Sequence, residues 1–165
     1  MQVTLTVKNL KKVMSQLKQL NKQLEPDFQE IVKGGGQLIR GEAVKSIQQG
    51  SKSGVVYEKY NPRRSHRASA PGEAPASDTG NLVSKIMVKQ KTKNITNVVS
   101  NANYSAFLEY GTSKMQPRPF MLPAFEKSKK PITEATFKRV VKKIEEIVKW
   151  VILQLLYKQQ SIMHC

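Results

Sequence analysis

The sequence predicts an α+β fold. Three observations lead to it: apolar residues at steps of three and four through the first 49 positions, a partly alternating apolar run and a β-branched run around a polar turn between 82 and 100, and a sustained 3.6-type period from 132 to 159. At 165 residues the chain suits a single domain spanning 1–165. Such a length buries roughly two thirds of the unfolded surface without a metal or a disulfide.

Residues 1–7, MQVTLTV, alternate Val3, Leu5 and Val7 with polar positions, which is the period of a half-buried strand. Asn9 then offers a helix cap, and Leu10, Val13, Leu17, Leu20 and Leu24 fall on one helical stripe. Pro26 is expected to end that helix, because proline lacks the N–H and crowds the preceding turn. Asp27 is placed to cap a second helix running to about Gln49, with Phe28, Ile31, Val32, Leu38, Ile39, Val44 and Ile47 as its apolar positions.

Gly34, Gly35 and Gly36 interrupt this second helix. Three glycines cost roughly 2 to 3 kcal/mol against alanine in a helix interior, so the helix either kinks there or packs closely against another backbone. A phosphate-binding loop would need Lys and Ser/Thr after the glycines, and Gln37 and Leu38 stand there instead.

Residues 50–80 turn to Gly, Ser, Pro, Arg and Ala and are expected to form a long basic loop or arm, with Val55, Val56 and Tyr57 as a short strand at its start. Loops of that length are commonly functional or become ordered against a partner. LVSKIMVK (82–89) and ITNVVS (95–100) flank the polar QKTKN and predict a β-hairpin. Residues 104–110 carry a short helix or turn closed by Gly111, and Pro117, Pro119 and Pro123 keep 113–123 extended.

The long C-terminal helix is placed at 132–160, capped by Thr133, with Phe137, Val140, Val141, Ile144, Ile147, Val148, Val151, Ile152, Leu155 and Leu156 in phase. It spans roughly 40 Å at 1.5 Å per residue. Its end is nearly apolar all round and needs more than one neighbour, for which a second subunit is a natural supplier.

Lysine and arginine number 28 against 12 acidic residues, a net charge of +16. That balance implies nucleic acid, an acidic protein neighbour or simply a solvated surface. Clusters occur at Arg63, Arg64 and Arg67, at Lys127, Lys129 and Lys130, and at Lys138, Arg139, Lys142 and Lys143, but the basic residues are otherwise spread out. Contact with DNA or with another subunit is assigned to Arg63, Arg64 and Arg67. With neither an aromatic-lined basic strand face nor a helix-turn-helix pair, contact with phosphates would be non-specific and salt-sensitive.

Cys165 stands alone, which excludes an intramolecular disulfide and suits a reducing compartment. The first residues lack the apolar core of a signal peptide, and the most apolar stretch, 148–157, is about half the length that crosses a bilayer. No membrane association is expected. His66 and His164 are not at ligand spacing, so neither metal nor cofactor is expected.

His66 is near Ser65, Ser69 and Asp78, but in a loop without the rigid scaffold that an activated nucleophile requires. The carboxylates are too scattered for a metal-dependent nuclease centre. Glu109 is expected to satisfy backbone donors or an arginine beside the Gly111 turn. No catalytic residue is nominated, and the chain is expected not to be an enzyme.

Two segments, HRASAPGEAPASDTGNL (66–82) and YSAFLEYGTSKMQPRPFMLPAFEK (104–127), resemble the paired signatures of tailed-phage tail-component proteins of the lambdoid siphophage type. Members carry an "APG-x-P-P-x-DTG-x-L" loop followed by a "YA-x-x-x-E-aromatic-GT…P-x-PF-x-x-PA" block. Pro71, Gly72, Pro75, Asp78, Thr79, Gly80 and Leu82 match the first block. Tyr104, Glu109, Tyr110, Gly111, Thr112, Pro117, Pro119, Phe120, Pro123 and Ala124 match the second, and the two together cover about a quarter of the chain. Ala74 stands where a second proline is common, and the apolar C-terminal tail departs from the family pattern. On physical grounds Gly111 permits positive φ, the prolines aim Phe120 and Leu122 at a core, and Pro123 suits the first turn of a helix.

The resemblance implies a small, mostly antiparallel sheet packed against N-terminal helices and a long C-terminal helix. It further implies a structural virion protein of the head-tail connector, a tail-completion subunit in the neck. Such a subunit forms a homo-oligomeric ring of six copies that joins the tail to the capsid and lets DNA pass. Its neighbours would be the tail terminator, the head-closure protein and the portal-bound adaptor, in the virion and, during assembly, in the host cytoplasm. A basic non-specific DNA-binding protein is the alternative, which accounts for the charge but not for the two blocks.

Overall fold

The computed structural model describes residues 10–60 and 63–162. In chain order it contains α1 (Leu10–Gln49), β1 (Val56–Tyr60), β2 (Arg63–Arg67), α2 (Asn81–Ser84), β3 (Ile86–Thr92), β4 (Ile95–Ser100), α3 (Ser105–Tyr110) and α4 (Met121–Ile162). The fold is α+β. The strand expected at 1–7 and the cap at Asn9 lie outside the described residues. The chain divides into two compact units, Met1–Glu30 with Ala135–Cys165, and Ile31–Glu134. Helices α1 and α4 contribute to both.

Where two N-terminal helices were expected, one forms. Helix α1 is 40 residues long with Pro26 inside it, and Asp27 is an interior position instead of a cap. The reason is phase: Leu24, Phe28, Ile31, Gly35, Ile39, Ala43 and Ile47 continue one stripe at steps of three and four across the proline. A shared stripe outweighs the roughly 3 kcal/mol that an interior proline costs.

The glycines do not interrupt α1. A Cβ at Gly36 would lie 2.7 Å from Thr96 Cγ2 and 3.0 Å from Val88 Cγ1, so this position lets the β3–β4 hairpin sit directly on the helix. Gly35 faces the side chain of Ile132 on α4, where a Cβ would meet it at 3.4 Å. The close approach is to side chains and not to another backbone.

The core of the Ile31–Glu134 unit is assembled from Ala43 and Ile47 on α1, Leu82 on α2, Ile86 on β3, Ala102, Phe120, and Ala124 on α4. Arg40 Nε donates to the Ile86 carbonyl at 2.9 Å, fixing the start of β3 against α1. In place of one small sheet there are two separate antiparallel pairs, β1–β2 and β3–β4. The second pair runs from Ile86↔Ser100 to Thr92↔Ile95 with an irregularity between Gln90 and Thr92. Its first strand begins at Ile86 because residues 81–84 form the single turn α2.

Two further expectations are corrected. The stretch 50–80 is not a continuous loop, since β1 and β2 pair from Val56↔Arg67 to Tyr60↔Arg63. The run RRSHR has no apolar alternation, which is why its strand is invisible to hydrophobic periodicity. Helix α4 begins at Met121, not near 132, and carries Pro131 inside. Thr133 does not cap it: its hydroxyl donates back to the Lys129 carbonyl at 2.9 Å within the helix. Pro123, as expected, falls in the first turn.

In the other unit, the N-terminal part of α1 lies antiparallel to the later part of α4. Arg139 pairs with Glu30 and, at 3.5 Å, with Asp27, which Lys143 also approaches at 4.0 Å. Phe137, Trp150, Ile152 and Leu153 on α4 are each more than half exposed. Among the described residues no helix is long and apolar enough to cross a membrane.

Candidate functional site

The first motif block is built around two side-chain connections. Glu73 accepts the Ser53 hydroxyl at 2.6 Å, the Ser53 N–H at 3.0 Å and the Ala70 N–H at 2.8 Å. The Ser53 hydroxyl bond, reinforced by the two backbone donors, pulls the Glu73 carboxyl down to about 2. Lys52 Nζ donates to the carbonyls of Ser46 at 3.0 Å and Ala74 at 2.6 Å. Partial burial pushes this ammonium below its ordinary range, opposed by the charge of Glu73. Together they tie the turn at 70–74 to the end of α1. Gly72 and Gly80 take positive φ of 82° and 76°, and Pro75 is buried.

The second block folds around Glu109. Its carboxylate accepts three successive backbone N–H groups, from Phe120 at 2.9 Å, Met121 at 3.0 Å and Leu122 at 2.8 Å. These are the donors that a helix start leaves without partners, so Glu109 caps α4 from 12 residues upstream of Met121. Gly111, at φ 77° and ψ −176°, closes α3 through its N–H to the Phe107 carbonyl at 2.9 Å. Thr112 and Met115 then bridge, turning the chain toward Pro117 and Pro119. Phe120 is delivered to the core at 1% exposure, whereas Leu122 remains 61% exposed.

The structure joins the two blocks. The Gly72 N–H donates to the Pro117 carbonyl at 2.9 Å, Arg118 Nε donates to the Ser69 carbonyl at 3.2 Å, and Asn81 Nδ2 donates to the Tyr104 hydroxyl at 3.1 Å. Segments almost fifty residues apart thus form one surface, with a shallow cavity of about 300 Å³ between them. Sequence reasoning placed the motif residues but missed Lys52, Glu73 and Arg118, whose partners are mainly backbone groups distant in sequence.

The β1–β2 hairpin is held to this surface through Asp78. Lys59 Nζ and Arg64 Nη2, the latter at 2.7 Å, both pair with its carboxylate. The Lys59 hydrogen bond is the main cause that keeps Asp78 below the usual carboxylate range, partial burial opposing and the charges of Arg64, Lys59 and His66 assisting. Residues paired across the ladder share a face, so Lys59, Arg64, Tyr57 and His66 lie on the Asp78 side. Val56, Glu58, Tyr60, Arg63, Ser65 and Arg67 form the other side and are all exposed. Of the three arginines singled out for external contact, Arg64 is engaged within the chain, while Arg63 and Arg67 face outward.

His66 lines the shallow cavity with Ser69 and Asp78, but the acid there is occupied by two cations and the Ser69 carbonyl by Arg118. Among the described residues no group of three His, Cys, Asp or Glu side chains converges where a metal ion could bind. Exposed apolar side chains gather elsewhere on the second block: Tyr110, Leu122 and Phe125, at 82%, 61% and 45% exposure, line a groove beside β4, and Phe107 on α3 is 56% exposed.

A model of the HK97-gp10-like family, described as a bacteriophage tail component, matches residues 11–111, well over half of the chain. The chain belongs to this family. As an HK97-gp10-like phage tail component it is a structural protein of the virion that works in contact with other virion proteins. The matched span contains the whole first block and the second as far as Gly111. The remainder of the second block, 112–124, lies beyond it but is bonded to it through Pro117 and Arg118. No curated protein and no solved structure matches the chain significantly.

Proposed function

We propose that this tail component is a tail-completion subunit of the phage neck, assembling as a closed homo-oligomeric ring of six copies where the tail meets the capsid. In this role it does no catalysis. Its neighbours are the tail terminator, the head-closure protein and the portal-bound adaptor. The observation that carries the reading is the joining of both motif blocks into one surface, with Tyr110, Leu122 and Phe125 of the second block exposed together along a groove. Exposed apolar side chains grouped in this way are characteristic of protein contact surfaces.

The outward arginines of β2 support a second part of the reading, in which the hairpin side carrying Tyr60, Arg63 and Arg67 lines the lumen and meets phosphates of the passing genome. Cryo-electron microscopy of the virion tests both parts. A six-fold ring of this chain at the capsid–tail junction, with the hairpin toward the channel, is the expected result. Absence of the chain from that junction overturns the assignment, and a hairpin facing away from the channel overturns the DNA contact alone. Tight, salt-sensitive DNA binding by the isolated monomer would instead favour a free DNA-binding protein.

A further inference from the structure

We propose that the outer edge of β4 receives residues 2–7 of a second copy of this chain as an added strand, and that this donation links neighbouring copies. The inference rests on the ring reading above and supplies its contact. Strand β4 pairs with β3 along one edge and, among the described residues, with no other strand. All five residues from 96 to 100 line a groove of about 640 Å³ whose other walls are α3 and the first turns of α4, with Leu122 and Phe125 exposed along it. A strand that lines a groove with consecutive residues presents its backbone donors and acceptors to it.

The sequence of β4 leaves this edge open to a further strand. Exposed edges are normally guarded by charge or proline. Strand β3 carries Lys89 and Lys91, whereas β4, ITNVVS, has neither charge nor proline. A two-stranded pair is itself marginal, and a third strand would complete it.

The occupant is argued from the sequence. An added strand must set apolar side chains on the side of Val98 and Ile39 and polar ones on the side of exposed Asn97, without charge against the apolar wall. Residues 2–7, QVTLTV, supply that alternation with Val3, Leu5 and Val7 against Gln2, Thr4 and Thr6, and carry no charge. Donation from one copy to the next is a heterologous, head-to-tail contact, the type that closes into rings.

The test uses the full-length chain, with light scattering for mass and hydrogen exchange at the β4 amides that do not face β3. The wild type is expected to be multimeric, with those amides exchanging roughly tenfold slower than in Leu5→Lys, which falls to single-chain mass. A synthetic peptide of residues 1–9 restores slow exchange to Leu5→Lys without restoring mass. Leu122→Lys, on the groove wall, also becomes monomeric, and the peptide does not rescue its exchange. Slow exchange at the Ile47 amide, inside α1 and buried in the core, reports in both variants that the core is intact. A multimer with fast-exchanging β4 amides overturns the donated strand and leaves the ring reading standing. A monomer whose β4 amides are slow until Leu5 is changed shows docking within one chain and overturns the exchange between copies, and a monomer with fast β4 amides overturns both.

Discussion

Glu109 accepts the backbone N–H of Phe120 at 2.9 Å, and through this bond a residue of one short helix organises the start of another. The same carboxylate takes the next two N–H groups, so the cap, the entry of Phe120 into the core and the exposed position of Leu122 depend on one side chain. Replacing Glu109 with Ala removes a charged acceptor from three donors. Charged hydrogen bonds and helix caps each contribute on the order of 1 to 3 kcal/mol, so a loss of about 2 to 4 kcal/mol is expected in denaturant unfolding. Glu109→Gln, which retains one carbonyl oxygen, is expected to lose about half of that. A change below about 0.5 kcal/mol for Ala would show that solvent satisfies α4 equally well.

Neighbouring glycines in α1 are expected to respond with opposite signs. At Gly34 an added Cβ meets nothing within 4 Å, so Gly34→Ala should stabilise the chain by about 0.5 to 1 kcal/mol through helix propensity. At Gly36 the Cβ would lie 2.7 Å from Thr96 Cγ2, and Gly36→Ala should destabilise by about 1 to 3 kcal/mol as the hairpin is pushed off the helix. Thermal unfolding of the two variants side by side decides this. Equal shifts in the same direction would mean that β3–β4 does not rest on Gly36.

These glycines also show where the sequence is legible. Loss of helix propensity at three positions left a kink or a close contact open, and the contacts that formed, at Gly35 and Gly36, are with residues more than fifty positions along the chain. The break assigned to Pro26 failed because a local rule was weighed without checking that Leu24 and Phe28 stay in phase across it. The motif blocks were legible as turns, since Gly111 and the prolines constrain backbone locally, whereas their union through Gly72 and Pro117 is a backbone contact with no side-chain signature. The β1–β2 pair was missed for a similar reason: it is fixed by Asp78 holding Lys59 and Arg64, not by apolar alternation.

Acid should loosen the first block through Glu73. Its carboxyl is lowered from 4.5 to about 2 by the Ser53 and Ala70 donors. A group depressed in the folded state contributes stability that is full above its unfolded value and is lost as pH falls through the folded value. The contribution should therefore fade from about pH 4.5 to about pH 2 and vanish below, and Glu73→Gln should flatten the stability profile in that window. Denaturant midpoints across the range measure it. A profile unchanged by the substitution would assign acid sensitivity to other carboxylates.

Asp78→Asn should free the β1–β2 hairpin while leaving the core intact. Exposed ion pairs contribute at most about 1 kcal/mol each, so global stability should move little. Local opening should rise, seen as faster tryptic cleavage at Lys59, Arg63 and Arg64. Added salt should have the same effect on the wild type, because screening weakens the pairs to Asp78. Cleavage rates indifferent to both changes would mean that the ladder alone holds the arm.

Gly111 and Gly72 both have positive φ, yet they should differ in what they tolerate. Gly111 combines φ 77° with ψ −176°, a region open essentially to glycine alone, and a Cβ there would lie 2.8 Å from the Met115 carbonyl oxygen and 3.0 Å from Pro117. Those neighbours are backbone and a proline ring, which cannot step aside as the tip of a flexible side chain can. Gly72 has φ 82° and open space around the missing side chain. Gly72→Ala is expected to cost about 1 kcal/mol, the ordinary penalty of left-handed backbone. Gly111→Ala should cost about 3 kcal/mol or more, strain and overlap adding. Its main visible effect should be at the junction of the blocks. Displacing Pro117 withdraws the acceptor of the Gly72 N–H, so exchange at that amide should accelerate in Gly111→Ala well beyond its change in other stability-matched variants. Uniform acceleration across the core instead would mean that Gly111 acts on folding as a whole and not on the union of the two blocks.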